Sequence, residues 1–260
     1  MGTTVRSKLT IGGCVQYRRK TLDKTVYGFL FDLDNTLIDR EAAFVRFATR
    51  FYEERLRDAT SMTRDETVAK MVRWDEDGYV PRDEMFARWV NEWPEAGLEL
   101  ERLLPYYRSE MKQHVQPDAD NNRLLADLNR RGVPWGIVTN GTTVTQHIAC
   151  RAAGLDELAP FIIVSEAAGY KKPDPRIFRD ALELTGLASP EQVMFVGDNP
   201  RADVDGAKRF GMKAAWVRRG RQFPDNLETP DYVVDHVAEL RDVVGVLSST
   251  SRASQTKHGQ

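Results

Sequence analysis

Five short apolar runs constrain this chain more than any other feature: Val26–Phe31, Val133–Val138, Phe161–Val164, Gln192–Val196 and Ala214–Val217. Each is rich in Val, Ile, Phe or Trp, and most end at a polar or glycine turn. Continuous apolar runs of this length suit strands buried on both faces. Helical patterns lie between the later runs. Asn122–Arg131 places Leu124, Leu125 and Leu128 on one side and stops at Gly132. Pro175–Thr185 spaces Ile177, Phe178, Ala181 and Leu182 as a helix does and is followed by Gly186, while Ala202–Phe210 ends at Gly211. Strand and helix in alternation predict an α/β fold, a Rossmann-like α/β/α core around a parallel sheet with right-handed crossovers.

The alternation fails once. Roughly 100 residues separate the first two runs, where a simple crossover needs about a dozen or more. From about Arg40 to His114 only helical patterns appear. Phe44, Phe47, Ala48 and Phe51 form one apolar stripe; Phe86, Trp89, Val90 and Trp93 form another. Large aromatics at that spacing read first as core. The expected organisation is therefore a core domain of residues 26–39 and 116–247 carrying a helical insert at 40–115. No internal repeat is present.

Charge and composition exclude several classes. The net charge of −2 speaks against a nucleic-acid partner, which calls for a strongly basic domain. No apolar run approaches the roughly 20 residues that span a bilayer. Cys14 and Cys150 are the only cysteines and lie far apart, so neither a disulfide framework nor a structural zinc site is expected, and a reducing, cytoplasmic setting fits. Residues 1–25 hold six Lys or Arg and one Asp without the apolar core of a signal peptide. They read as a flexible extension, although that composition also suits an organellar targeting peptide. Residues 248–260 are polar and aperiodic and read as a disordered tail.

The first run leads into Asp32-Leu33-Asp34-Asn35-Thr36. Two carboxylates two residues apart point the same way on an extended chain, here at the C-terminal end of a strand, where open α/β sheets bind ligands. Such a pair can divide labour: one attacks phosphorus as a nucleophile, the other donates a proton to the leaving oxygen and later takes one from water. Side by side, the two repel, and a hard cation with oxygen ligands relieves this; Mg²⁺ is the usual ion beside phosphates. Alone, the pair reads equally as a turn, because Asp and Asn are common at strand ends.

Four segments in order resemble the motifs of the haloacid dehalogenase superfamily over about residues 26–240. Asp32, Asp34 and Thr36 match the first, and Ile137-Val138-Thr139-Asn140-Gly141 the second. Tyr170-Lys171-Lys172-Pro173 matches the third, and Gly197-Asp198-Asn199-Pro200-Arg201-Ala202-Asp203 the fourth. The resemblance implies a phosphatase-like enzyme in which Asp32 is the nucleophile and Asp34 the general acid and base. Mg²⁺ would be held by Asp32, the main-chain carbonyl of Asp34, and Asp198. Asp203 would bind the ion through water or hold the lysine, and Asn199 would stand behind them. Thr139, Asn140, Gly141 and Lys172 would bind the transferring phosphoryl group, with Lys172 preferred over Lys171 because it directly precedes Pro173. Physics asks for the same set, since phosphoryl charge is stabilised by a cation, a lysine and fixed N–H donors.

Asp34 separates subclasses. By the same resemblance, dehalogenases lack an acid there because halide leaves unprotonated, so Asp34 favours phosphate esters. An all-helical insert between the first and second motifs resembles the caps of enzymes acting on small soluble metabolites, closing over the site. The expected activity is hydrolysis of a small phosphate monoester. A phosphotransferase or mutase with the same intermediate, or a non-catalytic binding module, are the alternatives. Arg46, Arg50, Arg73, Arg82, Arg88, Trp74 and Tyr79 are candidates to meet a substrate, though each also reads as an ordinary helix residue.

Overall fold

A computed structural model describes residues 4–11, 14–21 and 26–241. In chain order the strands and α-helices are β1 (Thr4–Ile11), β2 (Cys14–Thr21), β3 (Gly28–Phe31), α1 (Arg40–Phe51), α2 (Arg64–Asp75), α3 (Arg82–Glu92), α4 (Leu100–Glu110), α5 (Ala119–Arg131), β4 (Trp135–Thr139), α6 (Thr143–Ala152), β5 (Ile162–Val164), α7 (Ser165–Ala168), α8 (Pro175–Thr185), β6 (Val193–Gly197), α9 (Gly206–Phe210), β7 (Lys213–Val217) and β8 (Tyr232–Val234).

The predicted parallel sheet is present, with six strands in the order β5-β4-β3-β6-β7-β8 and every neighbouring pair parallel. All residues of β3, β4 and β6 are buried, which is why their sequences are unbroken apolar runs. After β5, β4 and β3 the order continues on the other side of β3 with β6. Leu30, Val138, Ile177, Phe178, Phe195 and Met212 form one core of this unit. Helix starts and stops follow local chemistry: Asp118 caps α5, Asp174 caps α8, and both helices end at a left-handed glycine, Gly132 and Gly186.

Two elements depart from expectation. β8 is only three residues long and gave no apolar run of usable length. Within the 1–25 segment expected to be a flexible extension, β1 and β2 pair antiparallel from Thr4↔Thr21 to Ile11↔Cys14. The rest of that segment and the 248–260 tail lie outside the described residues.

The chain divides into two compact units: Met1–Leu37 with Asp118–Thr143 and Leu155–Gln260, and Ile38–Pro117 with Val144–Gly154. Val144–Gly154 was expected within the core domain; an apolar helix face shows that a helix is buried, not what buries it. In the second unit, both aromatic stripes are core. Phe44, Phe47, Phe51, Phe86, Trp89 and Trp93 are buried in one cluster, with Trp89 meeting Phe51 at 5.0 Å and Phe86 at 5.3 Å between ring centroids. Beside that cluster Asp75 takes bonds from two arginines, Arg40 Nη2 at 2.9 Å and Arg82 Nη1 at 2.6 Å, and Arg40 also reaches the Tyr107 hydroxyl at 3.0 Å. Among the described residues, no helix is long and apolar enough to cross a membrane.

Candidate active site

The site is built where the strand order reverses. Asp32 follows β3 directly, and its N–H donates to Val196 O of β6 at 2.9 Å, extending the ladder past the strand end. The chain then turns, with Thr36 and Leu37 N–H groups both donating to Leu33 O. Asp32 is buried and Asp34 half-buried. Thr139 closes β4 and Asp198 follows β6, so all of these residues leave the sheet at its C-terminal edge, beside the switch point where open α/β sheets bind ligands.

Lys172 enters this edge from the loop before α8. Its Nζ donates to Asp32 Oδ1 at 2.6 Å and pairs with Asp203 Oδ1 at 2.8 Å. Lys172 is buried, whereas Lys171 is exposed. The lysine main chain is clamped by Asn140: Lys172 N donates to Asn140 Oδ1 at 2.9 Å, and Asn140 Nδ2 donates to Lys172 O at 3.0 Å. Asn140 thus locks the second motif to the third. The Gly141 N–H, expected to face a phosphoryl group, donates here to Ser165 Oγ at 3.0 Å, and Thr143 N donates to Glu166 Oε2 at 2.8 Å.

On the other side of β3, Pro200–Asp205 is a π-helical turn capped by Asn199, whose side chain accepts from the Arg201 and Ala202 N–H groups. The turn folds Asp203 back so that its Oδ2 accepts the Asn199 N–H at 2.9 Å. Gly197 makes room for this: a Cβ there would collide with the Asp203 carboxylate. Asp198 is held by Trp216 Nε1, which donates to its main-chain oxygen at 2.9 Å, and by Arg221 Nη2, 2.8 Å from its Oδ2.

Asp32, Asp198 and Asp203 each offer a carboxylate oxygen within 4.8 Å of the others, all buried. Burial pushes Asp32 well above the usual carboxylate range; Lys172 opposes the shift, and Asp203 and Asp198 add to it. Burial, reinforced by Asp203 and resisted by Arg221, raises Asp198 to about 6. Burial also works against the Lys172 ammonium, but Asp203 and Asp32 outweigh it and hold its pKa above the ordinary value. Three crowded carboxylate oxygens, with burial driving Asp32 and Asp198 toward protonation, suit a hard divalent cation, which favours the charged forms again.

The family model for haloacid dehalogenase-like hydrolases matches residues 29–217. The chain belongs to that family. Within this hydrolase family it is 37% identical over 150 residues to a phosphoserine phosphatase from Thermus thermophilus, an alignment covering 58% of this chain and 57% of the relative. The chain thus spans little more than half the length of that phosphatase. It is 31% identical over 221 residues to an N-acetylmuramic acid 6-phosphate phosphatase from Pseudomonas putida, covering 83% of this chain and 94% of the relative. The HAD-hydrolase YfnB from Bacillus subtilis, solved with magnesium bound, superposes with a TM-score of 0.61 at 27% identity, covering 85% of this chain and 99% of that one.

Of the residues singled out from the sequence of this chain, Asp32, Lys172, Asp198 and Asp203 form one connected cluster with Asn199 behind it. Several of the helical-unit candidates for substrate have partners of their own: Arg46 on His114 O, Arg50 on Glu54, Arg82 on Asp75 and Arg88 on Glu84. Trp74 packs on Trp93. Sequence reasoning missed Arg221 and Trp216. Both lie well beyond the fourth motif, and no spacing tied them to Asp198.

Proposed function

We propose that this chain is a Mg²⁺-dependent phosphomonoester hydrolase that cleaves a small phosphorylated molecule through a phospho-aspartate on Asp32. The observation that carries the reading is Lys172 Nζ, placed between Asp32 and Asp203 with Asp198 completing a group of three carboxylates. A phosphoryl group brought to Asp32 meets the lysine at once. The phosphatase relatives and the magnesium-bound structural neighbour point the same way.

In this mechanism, an Asp32 carboxylate oxygen forms a bond to phosphorus as the ester P–O bond breaks, and Asp34 gives its proton to the departing alkoxide oxygen. Asp34 then takes a proton from water as that water attacks phosphorus, releasing orthophosphate and restoring the Asp32 carboxylate. Asp32, Asp198 and the Asp34 main-chain carbonyl would hold Mg²⁺, with Asp203 nearby, and the ion supplies positive charge to the phosphoryl oxygens. Lys172 and Thr139, with main-chain N–H groups of Asn140 and Gly141, would bind those oxygens, Gly141 exchanging its bond to Ser165 for one to phosphate. The helical unit, inserted between the first and second motifs, is the part proposed to select the substrate.

The test is orthophosphate release from p-nitrophenyl phosphate and a panel of small phosphomonoesters, with and without Mg²⁺, for the native chain and Asp32→Asn. Metal-dependent turnover lost in Asp32→Asn is expected. Equal turnover by both proteins, or none by the native chain across the panel, sinks the reading. Substrate loss without orthophosphate release would identify a phosphotransferase instead.

A further inference from the structure

Asp198 is held from the β7 side more tightly than a metal ligand alone requires. Arg221, in the loop after β7, uses one nitrogen, Nη2, for both the main-chain oxygen of Asp198 at 3.0 Å and its Oδ2 at 2.8 Å. The arginine is anchored in turn: its N–H donates to Arg218 O at 2.9 Å, and Arg218 is fixed to Asp235 by two bonds of 2.9 and 2.6 Å. Trp216 adds its own bond to Asp198 O. The Asp198 side chain is 5% exposed and that of the Arg221 bonded to it 29%.

This geometry bears on which cation the site accepts. Mg²⁺ demands a near-ideal octahedron at about 2.0–2.1 Å, whereas Ca²⁺ takes 6–8 oxygens at about 2.3–2.6 Å and readily uses both oxygens of one carboxylate. A guanidinium on Oδ2 reserves that oxygen. Charge acts in the same direction: the three buried carboxylates face two cations, Lys172 and Arg221, and each cation lowers the pull on any divalent ion.

We propose that Arg221 is a positioning residue that restricts Asp198 to one-oxygen coordination and so makes the site select Mg²⁺ over Ca²⁺. This rests on the Mg²⁺ reading above. Removing the guanidinium strengthens divalent binding in general, but the larger gain goes to the ion that can use the second oxygen. The ratio of the two affinities is therefore the diagnostic quantity.

The experiment is calorimetric titration of Mg²⁺ and of Ca²⁺ into the full chain as native protein, Arg221→Met, Arg221→Lys and Asp198→Asn. Arg221→Met is expected to raise Ca²⁺ affinity relative to Mg²⁺ by on the order of tenfold, the lower end of the size, though not the sign, of the changes that outer-shell partners of metal ligands make to metal affinity. Arg221→Lys, which keeps a donor and a charge, should fall between native and Met. A Mg²⁺/Ca²⁺ ratio unchanged in Arg221→Met overturns the inference; should that variant not fold, an unchanged ratio in Arg221→Lys does so. Failure of the underlying reading looks different: the native chain does not bind Mg²⁺, or Asp198→Asn binds it as well as native, and either result overturns both.

Discussion

Lys172 Nζ lies 2.6 Å from Asp32 Oδ1 although 140 positions of sequence separate them. The same ammonium is 2.8 Å from Asp203. One buried cation therefore ties the strand-end Asp32 to the fourth motif.

Replacing Lys172 with Met leaves Asp32 and Asp203 buried without their cation. Breaking a buried pair by removing one partner costs about 3–5 kcal/mol. Urea unfolding of Lys172→Met should show a loss of that size together with loss of phosphatase turnover. A stability within experimental error of native would show that the ion pair is not a structural bond.

Asp34 is assigned the proton that the leaving oxygen needs. Asp34→Asn should therefore depress turnover of alkyl phosphates by about 10²–10⁴-fold, the usual contribution of a general acid. It should affect p-nitrophenyl phosphate far less, because that leaving group departs without a proton. Equal losses on both substrate types would remove Asp34 from the acid role.

Asp75 is the carboxylate that both Arg40 and Arg82 hold in the helical unit. In Asp75→Ala the buried Arg40 guanidinium keeps only the Tyr107 hydroxyl among these contacts. The expected cost is about 3–5 kcal/mol, readable as an earlier loss of tryptophan fluorescence, since Trp89 and Trp93 sit in that unit's core. An unchanged denaturation midpoint would contradict it.

Asp118 caps α5 by accepting the Asp120 and Asn121 N–H groups and also meets His236 at 2.8 Å. Its partial burial raises its pKa, but the Asn121 N–H and His236 outweigh that, so the net shift is downward. A carboxylate depressed in the folded state contributes stability above its unfolded pKa, and that contribution is lost as pH falls through the folded value. Asp118→Ala should cost about 0.5–2 kcal/mol at neutral pH. The gap between native and variant should narrow once acid takes the pH below the ordinary carboxylate range; a gap that widens in acid would show the opposite sign.

The carboxylate pair was legible because Asp32 and Asp34 are neighbours on one apolar run, and the lysine because Pro173 follows it. The helical insert was legible from two aromatic stripes whose 3.6-residue period survives without any knowledge of their partners. β8 was not, since three residues carry no period, and neither was the hairpin of β1 and β2, read past because its segment is rich in charge. Ser165 on the Gly141 N–H and Arg221 on Asp198 had no signal at all, being contacts between segments far apart in sequence.

By itself the sequence determined the local quantities: which runs are apolar enough to be buried strands, where helices stop, which acids and threonine stand at strand ends, and which lysine precedes a proline. Only the tertiary structure decided that the order reverses beside β3, that Lys172 reaches both Asp32 and Asp203, that Asn140 clamps the lysine loop, and that an arginine occupies Asp198. The reason is physical. Periodicity and capping depend on residues within a turn or two along the chain, whereas the partner of a buried charge depends on which distant segment the packed sheet brings within about 3 Å of it.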